Sequence, residues 1–555
     1  MKRLLFILWI FLLSVSFGLT KMKADVRMPL IFGDHMVLQQ DTKIAIFGWA
    51  DAGETVEVVF AGQKVKTTAD TDGTWRVNLK PIKTKKEGQT LTIAGKNKLV
   101  YSDVLVGDVW VASGQSNMEW GIKVRKEYAD DISASEDPLL RLFFVPKNTS
   151  LEPLTDIEVP QGTSNPERAA RWVLCTPEML AKINGQGFSA TAYYFARDMR
   201  AANGRPLGVI QSAWGGTRAE AWTSLSGLKQ EPALAHYVAA YEKNVKDNPE
   251  ILATYPQKQK EFDEAVREWD KTVGKEWNQA QKEWAIAVQA AQAAGKPAPP
   301  KPQPSVPRPP NPRKPNGGNN GPSNLFNAMI SPLIPLSIKG VIWYQGESNS
   351  ADPALYKKLF PAMVAQWREF FHNPAMPVYY VQITPWQAEG KDRLDRAWFR
   401  QCQLELMQEV PNVGMVTTTD AGSEKFIHPP YKIKVGQRLA YWALAKTYGK
   451  EGFLYAGPLY KSHQLKENVV EITFEHGSDG LIPENQKLRG FELVDEKGNI
   501  VPAEAEIING SARVKVWNDS VPHPVEVRYC FRNYMEGDLF NNAEIPASPF
   551  RVVIH

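Results

Sequence analysis

Between about residues 104 and 450 the sequence alternates short β-branched apolar runs with amphipathic segments of helical period, and this alternation constrains the fold more than any other feature. The strand candidates are 109–112, 141–145, 207–211, 340–344, 378–383 and 413–418. The helix candidates are 190–202, 353–371, 395–408 and 435–448. Strands that read as unbroken apolar runs are buried on both faces, as in a mostly parallel sheet wrapped by helices. Such a sheet places function at the carboxyl ends of its strands.

The flanks obey a different period. Residues 26–105 hold short strand candidates at 43–49, 55–60, 63–68, 74–79 and 90–94, punctuated by Asp51-Ala52-Gly53 and Asp70-Thr71-Asp72-Gly73, which predicts an N-terminal β-sandwich-like region. Strand candidates return after 452, at 469–474, 491–494, 512–516 and 526–529, and predict a second β region. Residues 226–322 interrupt the α/β pattern. There Phe262, Val266, Trp269, Val273, Trp277, Ala280, Trp284 and Val288 recur at spacings of four and three, the stripe of a long helix expected to pack on the catalytic core or on the helix before it. A proline-rich stretch, 297–315, follows as an extended spacer. The expected division is therefore a leader at 1–24, a β region at 25–105, a first catalytic segment at 106–225, an insertion at 226–322, a second catalytic segment at 323–450 and a β region at 451–555.

The leader is read from charge and hydropathy. Lys2, Arg3, Lys21 and Lys23 lie in the first 24 residues with no acidic residue among them, and the apolar run from Leu4 to about Gly18 is short for a membrane span. These features predict an exported chain, periplasmic or secreted after cleavage near Ala24, with no membrane anchor. Lys and Arg total 65 against 61 Asp and Glu, so without the leader the chain is neutral and offers no electrostatic reason for a nucleic-acid or anionic-membrane partner. Cys175, Cys402 and Cys530 are too few and too widely spaced for a disulfide framework or a zinc site, and neither metal nor cofactor is expected.

Four strand ends carry chemistry. The first runs into Gly114-Gln115-Ser116-Asn117-Met118, where a tight turn exposes one hydroxyl, although a serine after glycine is also an ordinary helix cap. The second runs into Ser212-Ala213-Trp214-Gly215-Gly216-Thr217, whose paired glycines let backbone amides approach a ligand. The third delivers Gln345-Gly346-Glu347-Ser348-Asn349, and the fourth delivers Asp420 and then Ile427-His428-Pro429. A serine nucleophile needs a base, and His428 is the histidine placed at such a strand end. The Gly-x-Ser-x-Gly elbow is absent, which excludes an α/β-hydrolase.

These segments resemble the block motifs of the SGNH (GDSL-like) hydrolase superfamily, and specifically those of bacterial sialate O-acetylesterase-like carbohydrate esterases. Lys434, Gly436, Arg438, Leu439 and Ala440 extend the His428 motif in the same sense. The resemblance implies an SGNH-type, flavodoxin-like parallel sheet with helices on both faces and a metal-free esterase removing O-acetyl groups from sugars, with sialic acid as the implied substrate and a plant polysaccharide such as xylan or xyloglucan as the alternative. It implies Ser116 as nucleophile, His428 as base, and an oxyanion hole from the Ser116 and Gly216 amides with Gln345 as third donor; a hydrogen bond from Gln345 to a neighbouring loop is the structural alternative. An aspartate three residues before the histidine, common in the superfamily, is replaced by Lys425. Asp420 is the first choice to orient His428, with Glu424, Glu347 or a Ser-His dyad as alternatives, while Asp108 is expected to bond loop amides. Trp214, Arg218, Trp222, Trp386 and Glu347 are candidates for contact with the sugar, Arg218 because a sialic acid carries a carboxylate. A glycoside hydrolase using Asp108 and Glu347, or a non-catalytic carbohydrate-binding protein, are the readings from other classes.

Overall fold

A computed structural model describes residues 25–163, 165–293, 299–387 and 394–554. The expected leader lies outside the described residues. No helix among those residues is long and apolar enough to cross a membrane.

The N-terminal strands are β1 (Val37–Gln39), β2 (Ile44–Trp49), β3 (Thr55–Phe60), β4 (Gln63–Thr68), β5 (Thr74–Leu79) and β6 (Lys85–Ala94). In β5 the buried Trp75, Val77 and Leu79 alternate with exposed Thr74, Arg76 and Asn78, the period of a half-buried strand. β2 pairs with β5, while β4, β3 and β6 form an antiparallel run that continues onto β7 (Lys98–Gly114). The expected boundary at 105 falls inside this 17-residue strand. Its first six residues alternate in exposure and its last eleven are wholly buried; it pairs with β6 as far as Val106 and in parallel with β10 from Asp108 and with β11 from Trp110. A run this rich in Val with no turn-forming cluster has no physical reason to stop at residue 105.

The remaining strands are β8 (Asp137–Phe144), β9 (Trp172–Cys175), β10 (Leu207–Ala213), β11 (Gly340–Tyr344), β12 (Val378–Val381) and β13 (Val413–Val416). The central order is β13-β12-β11-β7-β10-β8-β9, all parallel except the edge pair β8–β9. Chain order reverses direction at β7, since β10 lies on one side and β11 on the other, so the crevice outside the carboxyl end of β7 is the switch point where α/β sheets bind ligands.

Both faces of the sheet are covered. Val109 and Val111 of β7 point into one apolar core with Trp343, Tyr380 and helices α5 (Pro353–Phe370) and α6 (Asp395–Glu409). Trp110 and Ala112 point into the other, with helices α2 (Ala190–Asn203) and α7 (Lys432–Lys446). The first core runs on into both strand-rich flanks without a break. C-terminal strands form two four-stranded antiparallel sheets, and residues 546–548 reach back to β12 and β13: Thr417 and Thr419 donate their hydroxyls to the Pro546 and Ala547 carbonyls at 3.0 and 2.8 Å.

The insertion departs from its expected packing. α3 (Ala235–Trp269) and α4 (Lys275–Ala293) are joined by a π-turn, and the tryptophan stripe is covered by the proline-rich stretch. Trp269 Nε1 donates to the Val306 carbonyl at 2.7 Å and Trp284 Nε1 to the Pro299 carbonyl at 2.8 Å, so the stretch runs back antiparallel along the stripe. Carbonyls of an extended, proline-rich chain lack an internal partner, and the two indole N–H groups supply one. The three cysteines are buried and unpaired.

Gly436 sets the closest approach of α7 to α2. A Cβ there would lie 2.6 Å from Tyr194 Cβ and 2.7 Å from the Thr191 carbonyl oxygen. Gly436→Ala is expected to destabilise the fold by about 1–3 kcal/mol through overpacking, read as a lower urea midpoint with unchanged slope.

Candidate active site

Ser116 opens a short helix, α1 (Ser116–Glu119), directly beyond the carboxyl end of β7. Gly114 makes the turn possible: its φ is +136°, and a Cβ would lie 2.2 Å from the Tyr344 carbonyl oxygen of β11. The buried Gln115 side chain then accepts hydrogen bonds from the Gly346 and Ser348 amides at 3.2 and 3.3 Å, tying α1 to the loop after β11. Ser116 itself is half-buried, and its hydroxyl makes no hydrogen bond among the described residues.

The loop after β10 lies against this serine. A Cβ on Gly215 would be 3.3 Å from Ser116 Cβ, and the Gly215 N–H donates to Glu119 Oε2 at 2.5 Å. Gly216 follows at φ +72°, exposed, with its carbonyl accepting from Asn320 at 3.2 Å. Trp214 is half-buried with Lys147 Nζ 5.7 Å from its ring centre, and Lys147 is ion-paired to the other Glu119 oxygen. Glu119 and Lys147 line a cavity of about 380 Å³ with Phe144, Gln161, Asn184 and Gln186. A larger cavity of about 680 Å³ lies at the opposite, amino-terminal ends of β11 and β12, against Lys339 and Asn373.

His428 reaches the same edge from the loop before α7. Its ring stacks on Trp120, centroids 4.8 Å apart and planes 27° apart, and Asn117 Nδ2 donates to the carbonyl of Ile427 at 3.2 Å. The residue after the serine is thus bonded to the residue before the histidine. Burial holds the imidazole below its ordinary 6.5; Lys432 pushes in the same direction and Glu119 opposes it. A neutral imidazole at neutral pH is the state a base requires.

Two expected roles are replaced by other contacts. Asp420 forms a bidentate pair with Arg438, at 2.7 and 2.9 Å, and a bond to Lys434 Nζ at 2.7 Å, and no bond joins it to His428. Helix periodicity explains this, because Lys434 and Arg438 stand one turn apart on α7 and both face the end of β13. Gln345 Nε2 donates to the Thr217 carbonyl at 3.2 Å and to Asn349 Oδ1 at 2.6 Å, so one N–H braces the loop after Gly216, the structural alternative, and the other its own loop, rather than standing open to an oxyanion.

The other candidates divide. Trp222 is fully buried and donates to Thr217 Oγ1 at 3.0 Å, which removes it from contact with a ligand. Arg218 is exposed, 3.9 Å from Glu220. Trp386 is half-buried beneath the Arg396 guanidinium, 4.3 Å from the ring centre. Asp108 is buried and accepts from Gln39 and Tyr448 at 3.0 and 2.9 Å, and Glu424 is exposed. Glu347 is buried, with Oε1 accepting from Asn117 at 2.5 Å. Glu119, Trp120 and Lys432 were not singled out in the sequence; the one available signal was Glu119 standing one turn after Ser116. Among the described residues no group of three or more His, Cys, Asp or Glu side chains is arranged to hold a metal ion.

Residues 319–445 match the family model described as carbohydrate esterase, sialic acid-specific acetylesterase. The chain is 26% identical to the sialate O-acetylesterase of Mus musculus, covering 94% of each, and 29% identical to that of Rattus norvegicus, covering 81% of the chain and 79% of the relative. Among solved structures, a carbohydrate acetylesterase from Xanthomonas citri superposes with a TM-score of 0.72 at 28% identity, over 95% of this chain and 99% of that one. These similarities mark the chain as a carboxylic ester hydrolase, similar to sialate O-acetylesterases and to a carbohydrate acetylesterase.

Burial raises the Asp420 carboxyl, but Arg438 and Lys434 more than offset this and hold it below its ordinary 3.8. A depressed carboxylate contributes stability that is complete above its unfolded pKa and lost as pH falls through the folded one. Asp420→Asn, which leaves the buried Arg438 unpaired, is expected to cost about 3–5 kcal/mol at pH 7 and to flatten the acid-side fall in the urea midpoint below pH 4.

Proposed function

We propose that the chain removes O-acetyl groups from sugars by serine chemistry, with O-acetylated sialic acid as substrate, on an SGNH-type catalytic framework. The observation that carries this is the convergence on one sheet edge of a half-buried serine, a loop of two glycines against it and a histidine of lowered proton affinity, each from a different strand end.

In this reaction Ser116 Oγ attacks the acetyl carbonyl carbon while His428 takes its proton, and the negative charge on the carbonyl oxygen is received by the Ser116 and Gly216 amides. Collapse breaks the bond to the sugar oxygen, which leaves with the proton returned by His428. Water, deprotonated by His428, then attacks the acetyl-serine, and acetate and the free hydroxyl result. Glu119 serves twice: it holds the Gly215 amide and hence the oxyanion loop, and its charge favours the imidazolium formed during each step. With Asp420 committed to Arg438, the favoured arrangement is a Ser-His dyad with Glu119 as the nearby anion. The chain would act outside the cytoplasm, after removal of the leader.

Acetate release from 9-O-acetylated sialic acid and from acetylated xylan, measured side by side for the wild type and Ser116→Ala, tests this. Release from the sialic acid, reduced at least ~10³-fold in the variant, is expected. Release from xylan alone would transfer the activity to a neutral plant polysaccharide, for which the mutual neutralisation of Lys147 and Glu119 is the favouring observation. Unchanged activity in Ser116→Ala would sink the mechanism.

The pH dependence follows from the base. kcat/KM is expected to fall on the acid side with an apparent pKa below 6.5, because the protonated imidazole cannot accept the serine proton. Glu119→Gln removes a charge that favours protonation, so its acid limb should move to lower pH.

A further inference from the structure

Lys432, the first residue of α7 and one turn beyond His428, is only 1% exposed. An ammonium placed there without partners would be costly, and burial pushes it down to about 7. Its Nζ donates to Asn117 Oδ1 at 2.5 Å and lies 5.2 Å from the Tyr344 ring centre. Asn117, 0% exposed, passes the connection on: its Nδ2 donates to Glu347 Oε1 at 2.5 Å and to the Ile427 carbonyl at 3.2 Å. The lysine backbone is held too, its N–H directed at Tyr128 Oη, which in turn donates to the Pro430 carbonyl.

The chemistry of these partners fixes the bridge. A carboxylate or a carbonyl can only accept, and the lysine head donates whether charged or neutral. The Asn117 amide therefore has one permitted orientation, oxygen to Lys432 and nitrogen to Glu347 and Ile427. Turned over, it would set its oxygen against two acceptors and its N–H groups against a donor. Asn117 follows Ser116, and Ile427 precedes His428, so this single amide sets the nucleophile's helix against the peptide that carries the base.

We propose that Lys432 is a positioning residue of the esterase reaction, locking the Asn117 amide in the orientation that aligns His428 with Ser116. It touches neither substrate nor reacting atoms, and its assignment rests on the Ser-His mechanism proposed above. Its charge acts on His428 as well. The groups facing that imidazole are Lys432 from α7 and Glu119 from α1, with Arg125 and Glu347 acting on Lys432 from the segment after α1 and the loop after β11. Removing the lysine takes away a cation that disfavours the imidazolium.

The test is kcat, KM and the pH profile of acetyl-ester hydrolysis by the full chain, for wild type, Lys432→Met, Asn117→Asp and His428→Gln, with the melting temperature of each. Lys432→Met should lose about 10- to 100-fold in kcat with KM within about twofold, as a displaced catalytic group does. Its acid limb should move to higher pH, which a purely structural loss would not produce. Asn117→Asp retains an oxygen for Lys432 but loses both donated bonds, and should show the kcat loss with Lys432 intact. A folded Lys432→Met with wild-type kcat and an unmoved acid limb overturns the assignment. If that variant does not fold, wild-type kcat in Asn117→Asp does so instead. Wild-type kcat in His428→Gln would mean that the Ser-His mechanism itself, and not the bridge, has failed.

Discussion

The pairing of β7 underlies everything else in the molecule. One strand serves two sheets: its first part closes the N-terminal antiparallel run against β6, and its second part lies at the centre of the parallel sheet between β10 and β11. The ladder with β6 shifts register where β7 passes Asp103, but beyond it the register is fixed by the two cores, because a slip of one residue would exchange the two faces and turn Trp110 and Val111 each into the wrong one. The N-terminal region is therefore not an appended module with its own freedom. It fixes how far β7 runs before Gly114 turns the chain, and thus where Ser116 stands.

Around that point the protein spends buried polar groups on alignment. Gln115 ties α1 to the loop after β11, Gln345 ties that loop to the one after β10, and Asn117 ties α1 to the loop that carries His428. Each amide bridges elements distant in sequence, and the bonds it makes stand in for those that water would otherwise have supplied to these loops. Two ion pairs extend the pattern outward. Asp420 with Arg438 and Lys434 secures the end of β13 to α7, and Glu119 with Lys147 secures the glycine loop, so the carboxylates at this edge hold the backbone in place.

Much of this was legible in the chain. The parallel sheet could be read because strands buried on both faces must be apolar throughout, and all six candidates ended within two residues of the observed strand ends, although 109–112 covered only part of the buried portion of β7 and 141–145 began four residues late. That Ser116, Gly216 and His428 lie at one edge was legible because strand ends in such a sheet converge there whatever the details of packing. The tryptophan stripe was correctly a helix face, but what covers it was not readable: a proline-rich segment carries no periodicity, and only the indole bonds to the Pro299 and Val306 carbonyls reveal that it folds back.

What the sequence by itself determined is thus the layer architecture and the sheet edge at which Ser116 and His428 come together, since both follow from local periodicity and turn chemistry. What only the tertiary structure decided is which neighbour each polar side chain meets. Asp420 was as well placed in the sequence to serve His428 as to serve Arg438, and the pitch of α7 decided for the arginine. Lys432 reads in the sequence as one more lysine in a basic helix start, and it became a buried partner of Asn117 because α7 packs against α2 through Gly436 and brings its first turn beneath the serine's helix. Hydrogen bonding is short-ranged and directional, so such choices are settled by ångström differences in packing that no one-dimensional pattern records.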